Sequence, residues 1–500
     1  MSTNEPAPDT TIPFHRVKRA LPAAWLGVLT VSLLLASFSP VSSQPSRIET
    51  GRLATAKKDS LGSKMDSLAA KLDSLTLRTN RLVRARKDTL SANRDTVAVQ
   101  RDTTHLLTVT AAPDTLESRA DTVLVDTLRA KEAHPQDSPT DRGFLIRTSD
   151  GKSELRIIGS VRLNGIYDFN GLQNASSFNT YDIPVGEANI HEGRFQMSVA
   201  QTRLALEATK KSGIGDVFFK VETDFLGASG TLRLRQAYGT LNEILIGQTW
   251  STFDDLTSIP LTVDVDGPNS SVSLRTVQIR YMGTINPTLT WDAAIESPDV
   301  ESSIPDSVGE EPAFQSFPDV IGRMRQTGTW GHVQLAGVLR SISVRDPAGN
   351  LDVLAGYGLL LSGRFYLGRS RPDRILYQFV GGRGISRYIT ALKGKGLDVV
   401  YNPSTAEVEL TLSAGGYVSY ARQWNPKFLS YLTAGFVRIR NIDFFPADAF
   451  NSSMYLSADT FYDSSVGVRL GLEYTWGRRE NKNGDSGNAN RVAFLLQYDF

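Results

Sequence analysis

Residues 491–500 end the chain with the stretch RVAFLLQYDF. Every second residue from 492 to 500 is apolar or aromatic, and this period of two predicts a β-strand with one apolar face. The chain ends on Phe500, inside that pattern, whereas the terminal residues of soluble domains are usually frayed and polar. A strand that is ordered to its last residue is expected to be paired there, as it must be where a sheet closes into a membrane barrel.

The same stretch resembles the C-terminal insertion signal of Gram-negative outer-membrane proteins, which is a terminal strand of alternating apolar residues that ends in Phe. The resemblance implies a membrane-spanning barrel. The last strand of a soluble β-sandwich is the alternative that these ten residues leave open.

The composition limits the class of protein. Of the 500 residues, 40% are hydrophobic and none is cysteine. This hydrophobic fraction is too low for a bundle of membrane helices, but it suits a barrel whose strands alternate between lipid and water. Without cysteine, neither disulfides nor thiolate metal sites are possible. The net charge of +1 gives no reason to expect nucleic acid as a partner.

The N-terminal region has the layout of a secretory signal. A basic cluster at residues 15–19 precedes an apolar run at 21–38, and small residues follow before Gln44. We therefore predict a signal peptide at residues 1–43, with a retained membrane anchor as the alternative. No cysteine follows the cleavage site, so a lipoprotein is not expected.

A seven-residue repeat follows the signal. The phrase Asp-Ser-Leu begins at Asp59, Asp66 and Asp73. Its leucines continue in one line, at Leu61, Leu68, Leu75 and Leu82. This spacing predicts a periplasmic coiled coil over residues 44–110, although a disordered spacer fits the polar composition equally well. Residues 111–150 contain several prolines and are predicted to be a linker.

From residue 151 to residue 500 the sequence is predicted to be an all-β, antiparallel transmembrane barrel. Fifteen stretches of about ten residues alternate between apolar and polar residues. Bacterial barrels usually close with an even number of strands. We therefore predict sixteen strands, and the one not recognised is expected either at residues 384–407, where 397–401 read LDVVY, or within residues 442–460.

The connections between these stretches alternate in length. Short turns are predicted at residues 241–242 and 328–329, whereas residues 170–192, 252–273 and 297–317 are long polar loops. Short turns at one end and long loops at the other are typical of outer-membrane barrels. The connection at 227–230 is an exception, because it is short where a long loop is due.

Arginine recurs on the face of the strands that lies opposite the apolar face. A rigid guanidinium fork pairs well with carboxylate or phosphate, so an arginine-lined lumen favours small anions. The pore-lining candidates are Arg235, Arg280, Arg323, Arg325, Arg438, Arg440 and Arg469. The alternative is that arginines pair with acidic residues such as Glu222, Asp224 and Glu473 across neighbouring strands, and we expect about half to do so.

Residues 232–281 resemble the DcaP-like family of outer-membrane porins. The pieces that carry the resemblance are Arg235-Gln-Ala-Tyr238, Gly247-Gln-Thr-Trp-Ser251, Pro260, Asp266-Gly-Pro268 and Arg280-Tyr281. The resemblance implies a trimer of sixteen-stranded channels, an N-terminal segment able to form a periplasmic coiled coil, and arginine-rich constrictions for solutes such as dicarboxylates. The Asp/Ser/Thr-rich spacer ahead of the barrel is unusually long for this pattern.

The loop at residues 252–273 follows the fifth candidate strand, where sixteen-stranded porins commonly fold a loop into the lumen. Its constriction candidates are Asp254, Asp255, Asp264 and Asp266. Opposite an arginine wall they would create a transverse field, whereas the alternative is an ordinary external loop. Their spacing does not match an EF-hand loop, so no metal is expected.

No zincin pair of histidines, nucleophile elbow or P-loop is present, and neither enzymatic activity nor a cofactor is expected. The sequence therefore predicts a passive outer-membrane channel for small anionic solutes, surrounded by membrane lipid. The alternative function is a structural barrel with a plugged pore, whose periplasmic spacer tethers the membrane to the cell wall.

Overall fold

The computed structural model describes residues 143–500, apart from 170–171, 173, 175, 187–192, 305–312, 346–350, 369–372, 403–404 and 406. The predicted signal peptide, the heptad segment and most of the predicted linker lie outside the described residues. Within them all regular structure is β-strand and short 3-10 turns. No helix of the described residues is both long and apolar enough to cross a membrane.

The first half of the described chain contains the strands β1 (Phe144–Arg147), β2 (Ser153–Asp168), β3 (Arg194–Ser198), β4 (Arg203–Ser212), β5 (Gly215–Asp224), β6 (Arg233–Leu241), β7 (Ile244–Trp250), β8 (Arg275–Asn286), β9 (Leu289–Glu296), β10 (Ser302–Ser303) and β11 (Ala313–Phe314). The second half contains β12 (Asp319–Gly328), β13 (Gly331–Arg345), β14 (Leu351–Tyr366), β15 (Arg374–Arg383), β16 (Val399–Asn402), β17 (Glu407–Leu410), β18 (Leu412–Asn425), β19 (Phe428–Ile439), β20 (Phe450–Asp463), β21 (Val468–Asn481) and β22 (Ser486–Asp499).

Nineteen of these strands form one antiparallel sheet, which closes on itself. Two barrel strands are interrupted, because β3 and β4 both pair with β2, and β11 and β12 both pair with β13. The short β1 is a hairpin arm on β2. The barrel therefore has sixteen strands, which confirms the predicted all-β fold class.

Closure joins β22 to β2. Tyr498 lies opposite Val161 in this pairing. The backbone N–H of Phe500 donates to the carbonyl of Gly159 at 3.0 Å, and the N–H of Gly159 donates back to Phe500 at 3.0 Å. The last residue of the chain is thus fully paired, as its apolar alternation predicts.

The strand that the sequence pattern did not reveal is β20, which falls largely within residues 442–460. The other location is not a barrel strand, because β16 at Val399–Asn402 belongs to a separate three-stranded sheet with β10 and β17. β20 reads FNSSMYLSADTFYD, with Met454 and Leu456 exposed and Ser453 and Ser457 buried. Tyr455 and Phe461 also face inward and Thr460 faces outward, so polar and apolar residues occur on both faces and hide the alternation.

The barrel exposes apolar side chains on its outer face and buries polar side chains on its inner face, which is the reverse of a soluble domain. Along β21, Leu470, Leu472 and Tyr474 are exposed, whereas Glu473 and Thr475 are buried. The turns at the end that contains Phe500 are short, and the long connections lie at the opposite end. We call these the turn end and the loop end.

Candidate functional site: the lumen and its folded loop

The connection after β7, residues 251–274, lies inside the barrel, and we call it the lumen loop. It contacts inward side chains of strands far apart in the wall. Arg162 of β2 donates to the carbonyl of Val263 at 2.6 Å, and Tyr417 of β18 donates to the carbonyl of Ser258 at 3.1 Å. The loop therefore crosses the lumen and narrows it.

Asp255 pins the lumen loop to the inner wall. Its carboxylate accepts hydrogen bonds from Arg325 at 2.7 Å, His332 at 2.8 Å and Ser362 at 2.9 Å. Burial alone would raise the pKa of Asp255, but Arg325 and His332 outweigh burial and hold that pKa well below its usual range. Arg325, one of the predicted pore arginines, is thus engaged by the loop.

The neighbouring Asp254 is in the opposite situation. It is 1% exposed, and neither carboxylate oxygen accepts a hydrogen bond from a described residue. Burial and the adjacent charge of Asp255 raise the pKa of Asp254 well above its usual range. Two consecutive aspartates of one loop therefore favour different protonation states.

The second half of the loop is held by Glu473 of β21, which accepts hydrogen bonds from the backbone N–H of Val263 at 2.5 Å and of Asp264 at 2.9 Å. Burial, followed by the charges of Glu473 and Asp266, raises the pKa of Asp264 to about 8. Asp264 itself accepts the N–H of Phe178 at 2.5 Å, so the loop is also tied to the first long connection.

Three predicted pore arginines form ion pairs within the wall. Arg235 pairs with Glu222 at 2.5 Å, and Arg469 pairs with Asp463 at 2.6 Å. Arg323 pairs with Asp292 of the neighbouring strand. These pairs stiffen the barrel, which is the role that the alternative interpretation assigns to them.

Arg280 lies on the inner face at the level where the lumen loop begins. It donates to the carbonyl of Trp250 at 2.6 Å and to the side-chain oxygen of Gln278 at 2.9 Å. Gln278 in turn donates to the same carbonyl of Trp250 at 2.9 Å. Arg280 therefore fixes the entry into the loop.

The prediction that Arg438 and Arg440 face the lumen is wrong. Both are exposed, whereas Val437 and Ile439 are each 1% exposed. At this level the connections of the loop end fill the barrel with an apolar core that includes Phe450. The inward residues of β19 must therefore be apolar here, and the arginines take the outer face.

A polar cavity of about 330 Å³ opens at the loop end, between the lumen loop and β6–β8, and we call it the mouth cavity. Four cationic side chains and one acidic side chain line it: Arg233, Arg235, Arg275, Lys393 and Asp266. The guanidinium of Arg275 lies 4.6 Å from the ring centre of Trp250. The strand alternation gave no sign of Arg275 or Lys393, because Arg275 opens its strand and Lys393 lies in a distant connection.

Two further arginines lie on the inner wall toward the turn end. Arg374 of β15 donates to the hydroxyl of Tyr431 at 2.9 Å, and the guanidinium of Arg364 on β14 lies 5.2 Å from the ring centre of Tyr366. Among the described residues, neither arginine forms an ion pair with a carboxylate. Both are only partly buried.

The four loop aspartates do not form a cation site. Within the ranges that the structure describes, no three His, Cys, Asp or Glu side chains are arranged to hold a metal ion. Asp255 is surrounded by donors, and Asp266 lies in the mouth cavity apart from it.

The family model described as DcaP outer membrane protein matches residues 131–500. This chain belongs to the DcaP outer membrane protein family. The predicted family resemblance and the predicted location in the outer membrane are both confirmed, and the chain is a porin channel of that membrane. Its short turns are accordingly periplasmic and its long loops extracellular.

One solved channel shares the fold. The crystal structure of the outer membrane channel DcaP of Acinetobacter baumannii aligns with a TM-score of 0.62 and 21% identity, over 72% of this chain and 99% of that chain. An anion-selective porin from Comamonas acidovorans aligns with a TM-score of 0.48 and 10% identity, over 70% of this chain and 100% of that chain. Comparison with curated protein sequences found no match.

Proposed function

We propose that this porin is a passive diffusion channel that prefers small anionic solutes, in particular organic acids such as dicarboxylates. The observation that carries the proposal is the mouth cavity, where Arg233, Arg235, Arg275 and Lys393 surround a solute-sized space. Such a cluster on a low-dielectric wall raises the local concentration of anions. The proposal includes no chemical step.

The remaining lumenal charges fit an anion path. Asp266 of the lumen loop lies in the mouth cavity with the cations, which favours a transverse field that orients dipolar solutes. Toward the periplasm, the partly buried guanidinium forks of Arg364 and Arg374 are available for carboxylates. Because Arg233, Arg235, Arg323 and Arg325 are engaged in ion pairs, they contribute through the field rather than as free forks.

The proposed assembly is a homotrimer in the lipid of the outer membrane. Its support is the family, together with the apolar outer wall of the barrel. Residues 44–110 are proposed to add a periplasmic coiled coil and residues 111–150 a linker. The a-type positions Lys58, Thr79 and Arg86 of the heptads are polar, so the coiled-coil seam is marginal. We therefore propose that contacts between barrel walls contribute most of the assembly energy.

A second candidate is a structural barrel with a plugged pore whose spacer tethers the membrane to the cell wall. The apolar core that the lumen loop and the extracellular connections form inside the barrel favours it. Planar-bilayer conductance separates the two functions, because a plugged barrel does not conduct.

Reversal potentials in a salt gradient test the anion preference. The double variants Arg275→Gln/Lys393→Gln and Arg364→Gln/Arg374→Gln are each expected to lower the anion-to-cation permeability ratio about five-fold, since the two lumenal charges removed together contribute about 1 kcal/mol. The matched control is Arg438→Gln/Arg440→Gln, which removes two charges from the outer face. An unchanged ratio in both lumenal variants, or a cation preference of the parent protein, contradicts the proposal.

A further inference from the structure

Four arginines lie on the outer face of the barrel at its extracellular end. They are Arg383 of β15, Arg438 of β19, Arg440 just after β19 and Arg478 of β21. All four are exposed, and among the described residues their side chains form no hydrogen bond or ion pair. A guanidinium group on a lipid-facing wall loses part of its hydration, so it needs a counter-charge, and here the membrane has to supply it.

The outward face of β19 shows the height at which these arginines lie. Phe428, Leu432 and Phe436 are exposed along it, and Arg438 follows ten residues after Phe428. Ten residues extend about 33 Å along a strand. At a tilt of about 40° this rises about 25 Å, which is the height of the apolar band of an outer-membrane barrel. Arg438 is therefore placed at the headgroup level of the outer leaflet.

β21 repeats the arrangement. Its outward side runs through Leu472, Tyr474 and Trp476 and then reaches Arg478. Aromatic side chains mark the boundary between hydrocarbon and headgroups, so the residue beyond them lies among the headgroups. Two strands thus place a guanidinium at the same boundary.

The arginines are close enough to share one ligand group. Across β20, Arg438 lies opposite Ser452, and Arg478 lies opposite the next outward residue, Met454. Two strand spacings of about 4.8 Å and an offset of two residues along β20 separate Arg438 from Arg478, which is about 12 Å between backbones and within the combined reach of two arginine side chains. The outward acidic residue on β19–β21 is Glu480, so the local charge is positive.

We propose that Arg438, Arg440 and Arg478 bind a phosphate group on the headgroup of an outer-leaflet lipid. Guanidinium pairs with phosphate through two parallel hydrogen bonds, and it is more weakly hydrated than ammonium, which suits a partly dehydrated interface. Each cation near an anionic lipid surface adds to the attraction between protein and lipid. The inference depends on the location in the outer membrane and not on the anion preference of the lumen.

Native mass spectrometry of the full, detergent-purified protein tests this site. The probes are the diphosphorylated glycolipid anchor of lipopolysaccharide, the same glycolipid without phosphates, and inorganic phosphate. The variant Arg438→Gln/Arg440→Gln/Arg478→Gln is expected to retain the diphosphorylated lipid at least ten-fold less than the parent protein. The parent is expected to hold the dephosphorylated lipid no better than the variant does.

The matched control is Lys210→Gln/Lys211→Gln/Lys427→Gln, which removes three exposed charges at the periplasmic end and is expected to retain the lipid as the parent does. Unchanged conductance of the arginine variant shows that it folds. Equal lipid retention by the arginine variant and the parent overturns the proposal. The proposal is also overturned if inorganic phosphate binds as tightly as the lipid, or if the parent retains the dephosphorylated lipid as well as the diphosphorylated one. Loss of the oligomer in the arginine variant would assign these residues to a subunit contact instead.

Discussion

Asp254 and Asp255 are adjacent in the chain and have opposite environments in the lumen. Asp255 meets Arg325, His332 and Ser362, whereas both oxygens of Asp254 lack a hydrogen-bond donor among the described residues. A buried carboxylate stabilises a structure only where donors or cations compensate its lost hydration. The two residues therefore contribute to stability with opposite signs.

Exchange of each aspartate for asparagine tests this contrast. Asp255→Asn is expected to destabilise the barrel by about 3–5 kcal/mol, because it removes the buried negative charge that faces Arg325 and His332. Asp254→Asn is expected to be neutral or slightly stabilising, because it removes a buried group that favours its neutral form. Denaturant unfolding in detergent measures both, and equal losses in the two variants would contradict the contrast.

The lumen loop is also expected to respond to pH. The pKa of Asp264 in the folded protein is about 8, above its unfolded value of about 3.9, so the folded state binds more protons between these values. This contribution to stability is full below about pH 4 and is lost as the pH rises to about 8. The lowered pKa of Asp255 has the opposite effect, because its contribution is lost as the pH falls below about 4.

The measurement is the unfolding temperature between pH 5 and pH 9. The parent protein is expected to lose stability over this range, and Asp264→Asn is expected to lose less, because asparagine does not ionise. A parent stability that rises with pH over this interval would show that Asp264 is already ionised at pH 5.

Gly435 of β19 allows the lumen loop to pack closely against β18 and β19. A Cβ added at Gly435 would lie 2.9 Å from the hydroxyl of Ser270 and 3.2 Å from the Cβ of Tyr417. Ser270 donates to the carbonyl of Gly416 at 2.9 Å, so this contact holds the loop against the wall. The glycines of these strands therefore make room for the lumen loop, and the strands themselves do not require them.

Gly435→Val is expected to push the lumen loop from the wall, lower stability by about 1–3 kcal/mol and change the single-channel conductance. The matched control is Gly322→Val on β12, which faces outward and where an added Cβ meets nothing within 4 Å. Valine is favoured in strands, so the control is expected to be neutral. Equal effects of the two substitutions would show that loop contact is not what requires Gly435.

All sixteen barrel strands and their closure lie within residues 143–500. The hairpin arm β1 at Phe144–Arg147 is the first ordered element of this region. No strand pairing of the described barrel therefore depends on the heptad segment, and the barrel is expected to fold without it.

Deletion of residues 45–140, with the signal retained, is expected to leave conductance and ion selectivity unchanged. Native gels are expected to show that the proposed trimer still assembles, because the polar a-type positions make the heptad seam marginal. A monomer of normal conductance would instead assign trimer assembly to the coiled coil.

The sequence by itself determined the strands, the closing role of residues 491–500 and the family, because alternation with period two is a local property that each strand carries alone. It did not reveal β20, because inward Tyr455 and Phe461 and outward Thr460 mix apolar and polar residues on both faces. Alternation separates two faces, but it does not say which face meets lipid. For β19 the choice was made by Phe253, Ile389 and other residues from separate loops, which gather inside the barrel and place Arg438 outside. The contact of Asp255 with Arg325, which lies 70 residues further along the chain, likewise exists only once the loop has folded inward. Only the tertiary structure decided these features, because burial and ion pairing depend on residues that are distant in the sequence.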